Sequence, residues 1–263
     1  MRKFSLISLS VAAALAATGL ARADTITTQV FTSPANPSGG ITVTIDNQGT
    51  PNDGNGHVLT GYTAYEMTIS ANTAGWGNAV VDSGNENNDS FTGFNGPLVI
   101  QESSATSKGK TTYTPILSDT ATTSDPAAGN YFSALGSHFM YSQAINVAAG
   151  VISTDFTASA TVNPTPIDSG YAFGTATYLR GATGFYRANQ LQVLPFAYLV
   201  IPNGGTVSYN AQDVLTQQAT GSNDSINFSG TIAVSEPATA ALFAAGSLGL
   251  LALGRKRKQA LPV

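Results

Sequence analysis

The sequence predicts an all-β fold: an antiparallel β-sandwich (jelly-roll or Ig-like) with one short helix, plus a C-terminal transmembrane helix. Three observations lead to this prediction. Between Asp24 and Ser235, Thr, Gly, Ser and Asn make up 92 of 212 residues, a composition typical of strands and tight turns. Apolar and polar residues alternate with a period of two in several segments. The sequence has neither a long run of helical period nor a repeat of fixed length.

The alternation places one set of side chains of each strand on a buried face. The sets are Ile41, Val43 and Ile45; Phe156, Ala158, Ala160 and Val162; Tyr171, Phe173, Thr175, Thr177 and Leu179; and Ile226, Phe228, Gly230, Ile232 and Val234. Because each strand has one apolar and one polar face, antiparallel sheets with one solvated side are expected.

The segment that follows these strands combines an apolar run, a turn and a short helix. Leu191–Ile201 is almost continuously apolar, which predicts a central strand with Pro195 at a bulge or an edge. The turn residues 202–205 precede 206–209, a pattern typical of a hairpin. Ala211–Ala219 is the one segment for which we predict a helix.

The formal net charge of −4 combines three unlike parts of the chain. Seven of the 11 basic residues lie near the ends, and the span from Asp24 to Ser235 holds four cations and 14 acids, a net charge of −10. This balance excludes a nucleic-acid-binding role. The chain has no Cys, which excludes disulfides, thiolate zinc sites and a cysteine nucleophile.

The first 23 residues have the pattern of a secretory signal peptide. Arg2 and Lys3 precede the apolar, Ala-rich segment 4–20, and Ala21 and Ala23 occupy the small-residue positions of a cleavage site. We predict cleavage after Ala23 and export through the Sec translocon. The alternatives are a membrane anchor and a buried helix.

The C-terminal tail has the pattern of a membrane-spanning segment. Residues 238–254 carry no charge, and a helix of that length would extend about 25 Å, slightly less than a hydrocarbon core of about 30 Å. A cytoplasmic stop follows at once: Arg255, Lys256, Arg257 and Lys258. Because clustered cations stay in the cytoplasm, the acidic body is expected outside. The alternative is a C-terminal core helix.

A short motif precedes this helix: Ser235, Glu236 and Pro237. The order of Glu-Pro motif, apolar helix and basic cluster resembles the PEP-CTERM sorting domain, although Ser235 stands where the family has its first Pro. The resemblance covers 234–263. It implies a Gram-negative host, an exosortase partner, transient anchoring in the inner membrane and later release or attachment at the cell surface. The predicted organisation is a signal peptide (1–23), a secreted β-sandwich domain (24–233) and a sorting tail (234–263) with its transmembrane helix at 238–254.

A loop rich in oxygen ligands is a candidate calcium site. Asp82, Glu86 and Asp89 lie within eight residues that also include three Asn, and Ca²⁺ is bound by six to eight such oxygens. The spacing differs from that of an EF-hand. Because Asn, Asp and Gly are also the commonest turn residues, the alternative is a solvated turn without metal. Apart from calcium, no cofactor is predicted.

Four other side chains are of types that can take part in catalysis or binding. His57 and His138 are the two histidines, and neither lies in a zinc or nucleophile motif. Glu66, in an expected strand, has no recognisable carboxylate partner for glycoside hydrolysis. Trp76 lies between two glycines and is a candidate carbohydrate contact, with core packing as the alternative. We therefore assign no catalytic residues.

The sequence predicts a non-enzymatic exported surface or extracellular-matrix protein, sorted by an exosortase and associated with exopolysaccharide or biofilm. The first alternative is a secreted carbohydrate-binding module or glycoside-active enzyme. The second is a surface adhesin that binds other proteins. An aromatic platform would favour a binding module, whereas a cleft that brings together Glu66, Trp76, His57 and His138 would favour an enzyme.

Overall fold

The described part of the chain is almost entirely β-structure. The computed structural model describes residues 27–33, 39–52, 56–72, 74–84, 90–117, 135–140, 151–161, 172–185, 193–217 and 219–235. The strands are β1 (Thr27–Thr32), β2 (Gly40–Gly49), β3 (Tyr62–Ala71), β4 (Trp76–Asp82), β5 (Gly93–Ser107), β6 (Lys110–Pro115), β7 (His138–Phe139), β8 (Val151–Thr161), β9 (Ala172–Phe185), β10 (Val193–Pro202), β11 (Thr206–Gln217) and β12 (Asn223–Ala233). The all-β prediction is confirmed.

The strands form two antiparallel sheets. The five-stranded sheet has the order β1-β2-β3-β10-β7, and the seven-stranded sheet runs β12-β11-β4-β9-β5-β6 with β8 paired to β9. β11 also pairs with β5 beyond the end of β4. Thr25–Val234 forms one compact unit.

The main core lies where the inner faces of the two sheets meet. The predicted buried sets of β2 and β12 are confirmed, since Ile41, Val43 and Ile45 pack in one cluster with Ile226 and Phe228. Phe94 of β5 belongs to this cluster and is almost fully buried. Burying these apolar faces against each other is what stabilises a two-sheet architecture.

A second, smaller core lies at the edge where β10 and β5 approach each other. It comprises Leu59, Ala64, Val99, Leu135, Phe173 and Val200. Ser137 connects the two sheets here: its backbone N donates to the Val99 O at 2.7 Å, and its Oγ accepts from the Val200 N at 2.8 Å.

The prediction for β10 is confirmed, including the position of its proline. β10 lies between β3 and β7, and its register with β3 shifts between Pro195 and Ala197. Because proline has no N–H to donate, a bulge accommodates it inside a sheet.

The predicted helix at Ala211–Ala219 is wrong, since Thr206–Gln217 is strand β11. The burial of β11 alternates with a period of two, and Tyr209, Ala211 and Leu215 all join the main core. Pairing with β12, β4 and β5 satisfies its backbone groups. Tertiary context therefore outweighed the weak local helical pattern.

Two finer predictions also need correction. A turn does form at 202–205, where the Gly205 N donates to the Pro202 O at 2.8 Å, but β10 and β11 belong to different sheets and form no hairpin. The proposed shared face of β9 is wrong as well. Phe173 packs in the smaller core and Leu179 in the main core, because register shifts interrupt the pairing of β9 with both neighbours.

Candidate functional site

Four polar side chains form a row across the outer face of the five-stranded sheet. Asp46 of β2 lies opposite Glu66 of β3. Glu66 in turn lies opposite Tyr198 of β10, and Tyr198 lies opposite His138 of β7. Each residue is adjacent in sequence to a member of the main core: Ile45, Met67, Leu199 or Phe139. Because successive side chains point to opposite faces of a strand, the row points away from that core. We call these four residues the outer row.

The two carboxylates of the outer row form an acidic pair. Residues directly opposite each other in antiparallel strands have Cβ atoms about 4.5–5.5 Å apart. The Gln48 Nε2 donates to the Asp46 Oδ2 at 3.1 Å and to the Glu66 Oε2 at 3.5 Å. Burial, and then the charge of Asp46, raises the pKa of Glu66 above its usual value. Both causes disfavour the charged form of the Glu66 carboxyl.

Tyr198 continues the row beside this pair. Burial, and then the nearby charge of Glu66, raises the pKa of Tyr198 to about 12. The phenol therefore stays protonated under all ordinary conditions and keeps a hydroxyl that can donate a hydrogen bond. Its ring also packs, partly buried, against the smaller core, which fixes the side chain on the sheet.

His138 closes the row and is buried. Its ring centroid lies 5.4 Å from that of Tyr198 at an interplanar angle of 34°. The His138 Nδ1 lies 2.7 Å from the Gly136 O. Because a carbonyl oxygen only accepts, Nδ1 carries the proton of this hydrogen bond. The position of His138 depends on Ser137, whose hydrogen bonds hold this segment between β10 and β5.

On one side the row is flanked by polar but uncharged residues, whereas on the other side Ala64 and Val200 belong to the smaller core. Thr44 lies opposite Thr68, and Thr42 lies opposite Ser70, in the neighbouring rows of β2 and β3. All four are partly buried. Such a face offers hydroxyl groups around two carboxylates and a phenol, a combination that suits hydrogen bonding to a hydroxyl-rich ligand.

Of the four side chains whose convergence would favour an enzyme, the structure brings together only two. Glu66 and His138 lie in one row, linked through Tyr198. His57 lies in the connection between β2 and β3. Trp76 is 9% exposed and belongs to the main core, so its ring presents little surface to a sugar.

The predicted calcium loop is described only over residues 82–84, so Asp82 is the one candidate ligand within the described residues. The Asp82 Oδ1 accepts from the Gly84 N at 2.8 Å, whereas Glu86 and Asp89 lie outside the described residues. Over the ranges that the structure covers, no group of three or more His, Cys, Asp or Glu residues could hold a metal ion.

The predicted targeting segments fall almost wholly outside the described ranges. These comprise the cleavage residues Ala21 and Ala23, the motif residues Glu236 and Pro237, the apolar segment 238–254 and the basic cluster 255–258. Ser235, the last described residue, is exposed. In the part of the chain that is described, no helix is long and apolar enough to span a membrane.

Sequence reasoning missed Asp46 and Tyr198 as members of the site. The alternation through Ile45 already placed Asp46 on an outer face, and Tyr198 lay in a predicted strand. The sequence does not contain the strand register, which places Asp46 and Tyr198 on either side of Glu66.

No family model, curated protein or solved structure matches this chain significantly.

Proposed function

We propose that this chain is a non-enzymatic exported surface or extracellular-matrix protein that binds polysaccharide on the outer face of its five-stranded sheet. The observation that carries the proposal is the outer row, in which Asp46, Glu66 and Tyr198 lie side by side. Carboxylates accept strong, charge-assisted hydrogen bonds from sugar hydroxyls, and the phenol can donate one in return.

The overall charge favours a neutral polysaccharide as ligand. The span from Asp24 to Ser235 has a net charge of −10, which repels acidic polymers. The outer row itself adds two carboxyl groups to the contact surface. Neutral sugars avoid this repulsion and still offer many hydroxyl donors.

Binding can be tested with the full-length protein and immobilised neutral glucans, with acidic alginate as a comparison. We expect retention on at least one neutral glucan and a loss of at least about tenfold in affinity for the double variant Asp46→Asn and Glu66→Gln, because two charge-assisted hydrogen bonds are weakened. Isothermal titration with soluble oligosaccharides would measure the loss.

The matched control is Gln212→Ala on the other sheet. Gln212 lies on the outer face of β11, where its Nε2 donates to the Asn227 Oδ1 at 2.8 Å, so its removal should leave binding unchanged. Equal affinity of the double variant and the wild type, or no retention on any glucan, would reject the outer row as the binding surface.

The acidic pair favours glycoside hydrolysis as a second candidate function. Retaining glycosidases hold two carboxyl groups about 5–5.5 Å apart, one of them with a raised pKa. Asp46 lies opposite Glu66, and the pKa of Glu66 is raised. If the same incubation produced new reducing ends, and if Glu66→Gln abolished them, the function would be hydrolysis and not binding alone.

Export and sorting are a separate part of the proposal and rest on the terminal sequence patterns. We propose that the Sec translocon exports the chain, that residues 238–254 anchor it transiently in the inner membrane and that an exosortase processes it near Glu236 and Pro237. The finer assignment of the body to a jelly-roll or Ig-like sandwich also stays a prediction.

Mass spectrometry of the mature protein from its producing bacterium tests the sorting step. We expect an N-terminus at Asp24 and a C-terminus near Ser235. A mature protein that retains Arg255–Lys258 would reject processing and leave a simple membrane anchor.

A further inference from the structure

Three polar side chains are buried on the inner face of the seven-stranded sheet. Asn78 of β4, Asp213 of β11 and Asp224 of β12 are 4%, 0% and 9% exposed. Asp213 lies between the core residues Ala211 and Leu215 on the same, buried face of β11. The three side chains therefore point into the space between the sheets, where polar groups are rare unless they have partners.

The strand register places the three residues on three neighbouring strands, with Asn78 and Asp224 about 9–10 Å apart at the backbone on either side of β11. Leu215 of β11 pairs with Asn78 on one side and with Asp224 on the other. Asp213 lies two residues before Leu215 on the same face, which makes it a diagonal neighbour of Asp224. Diagonal neighbours in antiparallel strands are about 7–8 Å apart at the backbone, a separation that two carboxylate side chains can bridge through one ion.

Hydrogen bonds direct two of the side chains towards the opposite sheet. The Asn78 Nδ2 donates to the Ile69 O of β3 at 3.4 Å. The Asp224 Oδ1 accepts from the Oγ of Ser33, which follows β1, at 2.5 Å. These contacts leave one oxygen of each side chain for another ligand.

Four oxygen atoms in this cluster have no hydrogen-bond partner. They are the Asn78 Oδ1, the Asp213 Oδ1 and Oδ2, and the Asp224 Oδ2. A buried carboxylate without a partner is strongly unfavourable. The described cations lie elsewhere: Lys108 and Lys110 are exposed at the β5–β6 turn, and Arg180 stacks on the ring of Tyr178.

We propose that Asp213, Asp224 and Asn78 bind one Ca²⁺ ion between the two sheets. Two carboxylates match the charge of a divalent cation, and an all-oxygen set is what Ca²⁺ prefers. The Ser33 hydroxyl, already at Asp224, is a further oxygen within the cluster, and water would complete the coordination shell. This site is distinct from the loop that begins at Asp82, and it is independent of the polysaccharide proposal.

Thermal melting of the full-length protein with EGTA or with millimolar Ca²⁺ tests the site. Because an ion that binds only the folded state stabilises it, saturating Ca²⁺ should raise Tm by about 5–10 °C. Asp213→Asn should abolish the Ca²⁺-dependent rise, whereas the matched control Asp82→Asn should retain it.

A second measurement locates the ion even if Asp213→Asn folds poorly. Trp76, the only Trp in the chain, lies two residues before Asn78 on β4 and belongs to the same core. Tb³⁺ bound at the site should therefore emit when the indole is excited, and Ca²⁺ should displace it.

Three outcomes would overturn the proposal. One is the absence of both a Ca²⁺-dependent Tm rise and Tb³⁺ emission in the wild type. The second is a rise that Asp82→Asn removes and Asp213→Asn keeps, which would place the ion on the loop. The third is a wild type that does not respond to Ca²⁺ together with an Asp213→Asn variant that is more stable than it. That result would indicate that Asp213 is a buried, protonated acid.

Discussion

Replacing Phe94 with alanine is expected to lower the free energy of unfolding by about 3–5 kcal/mol. The side chain is almost fully buried, and its ring lies 6.1 Å from Phe139, 6.0 Å from Phe196 and 6.4 Å from Tyr209 between centroids. Phe139 and Phe196 belong to the five-stranded sheet, whereas Phe94 and Tyr209 belong to the seven-stranded sheet. The substitution therefore leaves a cavity where the two sheets are packed together.

Urea denaturation, followed by the fluorescence of Trp76, would measure this loss. The matched control is Val30→Ala, because Val30 is 64% exposed on β1 and surface substitutions usually change stability by no more than about 0.5 kcal/mol. A Phe94→Ala variant as stable as the Val30→Ala variant would contradict the packing role given to this ring.

The parts of the fold that the sequence predicted correctly are those with strong local alternation. In β2 and β12, every second residue is apolar over at least five positions, so the buried face can be read without knowing the partner strand. Pro195 likewise predicted a bulge or an edge position, because a missing N–H is a local property that any sheet must accommodate.

The sequence-based predictions of the fold failed where the interaction that determines the structure joins residues far apart in the sequence. The helix predicted at Ala211–Ala219 includes Asp213, which lies instead in strand β11. Its strand conformation is set by pairing with Ile226 and Val81. The residues at 202–205 correctly predict a turn. They do not encode whether the next strand returns to the same sheet, so the predicted hairpin is wrong.

The candidate site shows the same difference between what a local sequence pattern predicts and what long-range strand pairing determines. The sequence indicates Glu66 as a candidate carboxylate but does not reveal its partner, because Asp46 is 20 residues away and lies opposite it only through the β2–β3 register. The sequence is compatible with Trp76 at the surface or in the core, and only the packing of the two sheets places it in the core. Side-chain type suggested the chemistry, and strand pairing decided which side chains share it.

Gly93→Ala is the other substitution for which we expect a large effect. Gly93 has φ +65°, and a Cβ built there would lie 2.5 Å from the Leu179 O and 2.7 Å from the Ser83 O. Both obstacles are backbone atoms. They cannot easily move, because the Ser83 N donates to the Gly181 O at 2.9 Å and holds the end of β4 against β9.

Two terms add in this variant. A non-glycine residue at positive φ costs about 1–2 kcal/mol, and overpacking adds about 1–3 kcal/mol. The sum is a large share of the total stability of a domain, about 5–15 kcal/mol. We therefore expect a clear fall in the urea midpoint together with a fall in soluble yield.

Gly109→Ala separates the two terms, because Gly109 has φ +76° and open space around its missing Cβ. It lies beside Lys108 in the β5–β6 turn, where both residues have positive φ as a two-residue hairpin requires. This control should lose only the conformational part, about 1–2 kcal/mol. If Gly93→Ala lost no more stability than Gly109→Ala, the close approach of β4, β5 and β9 at Gly93 would not be what makes glycine necessary there.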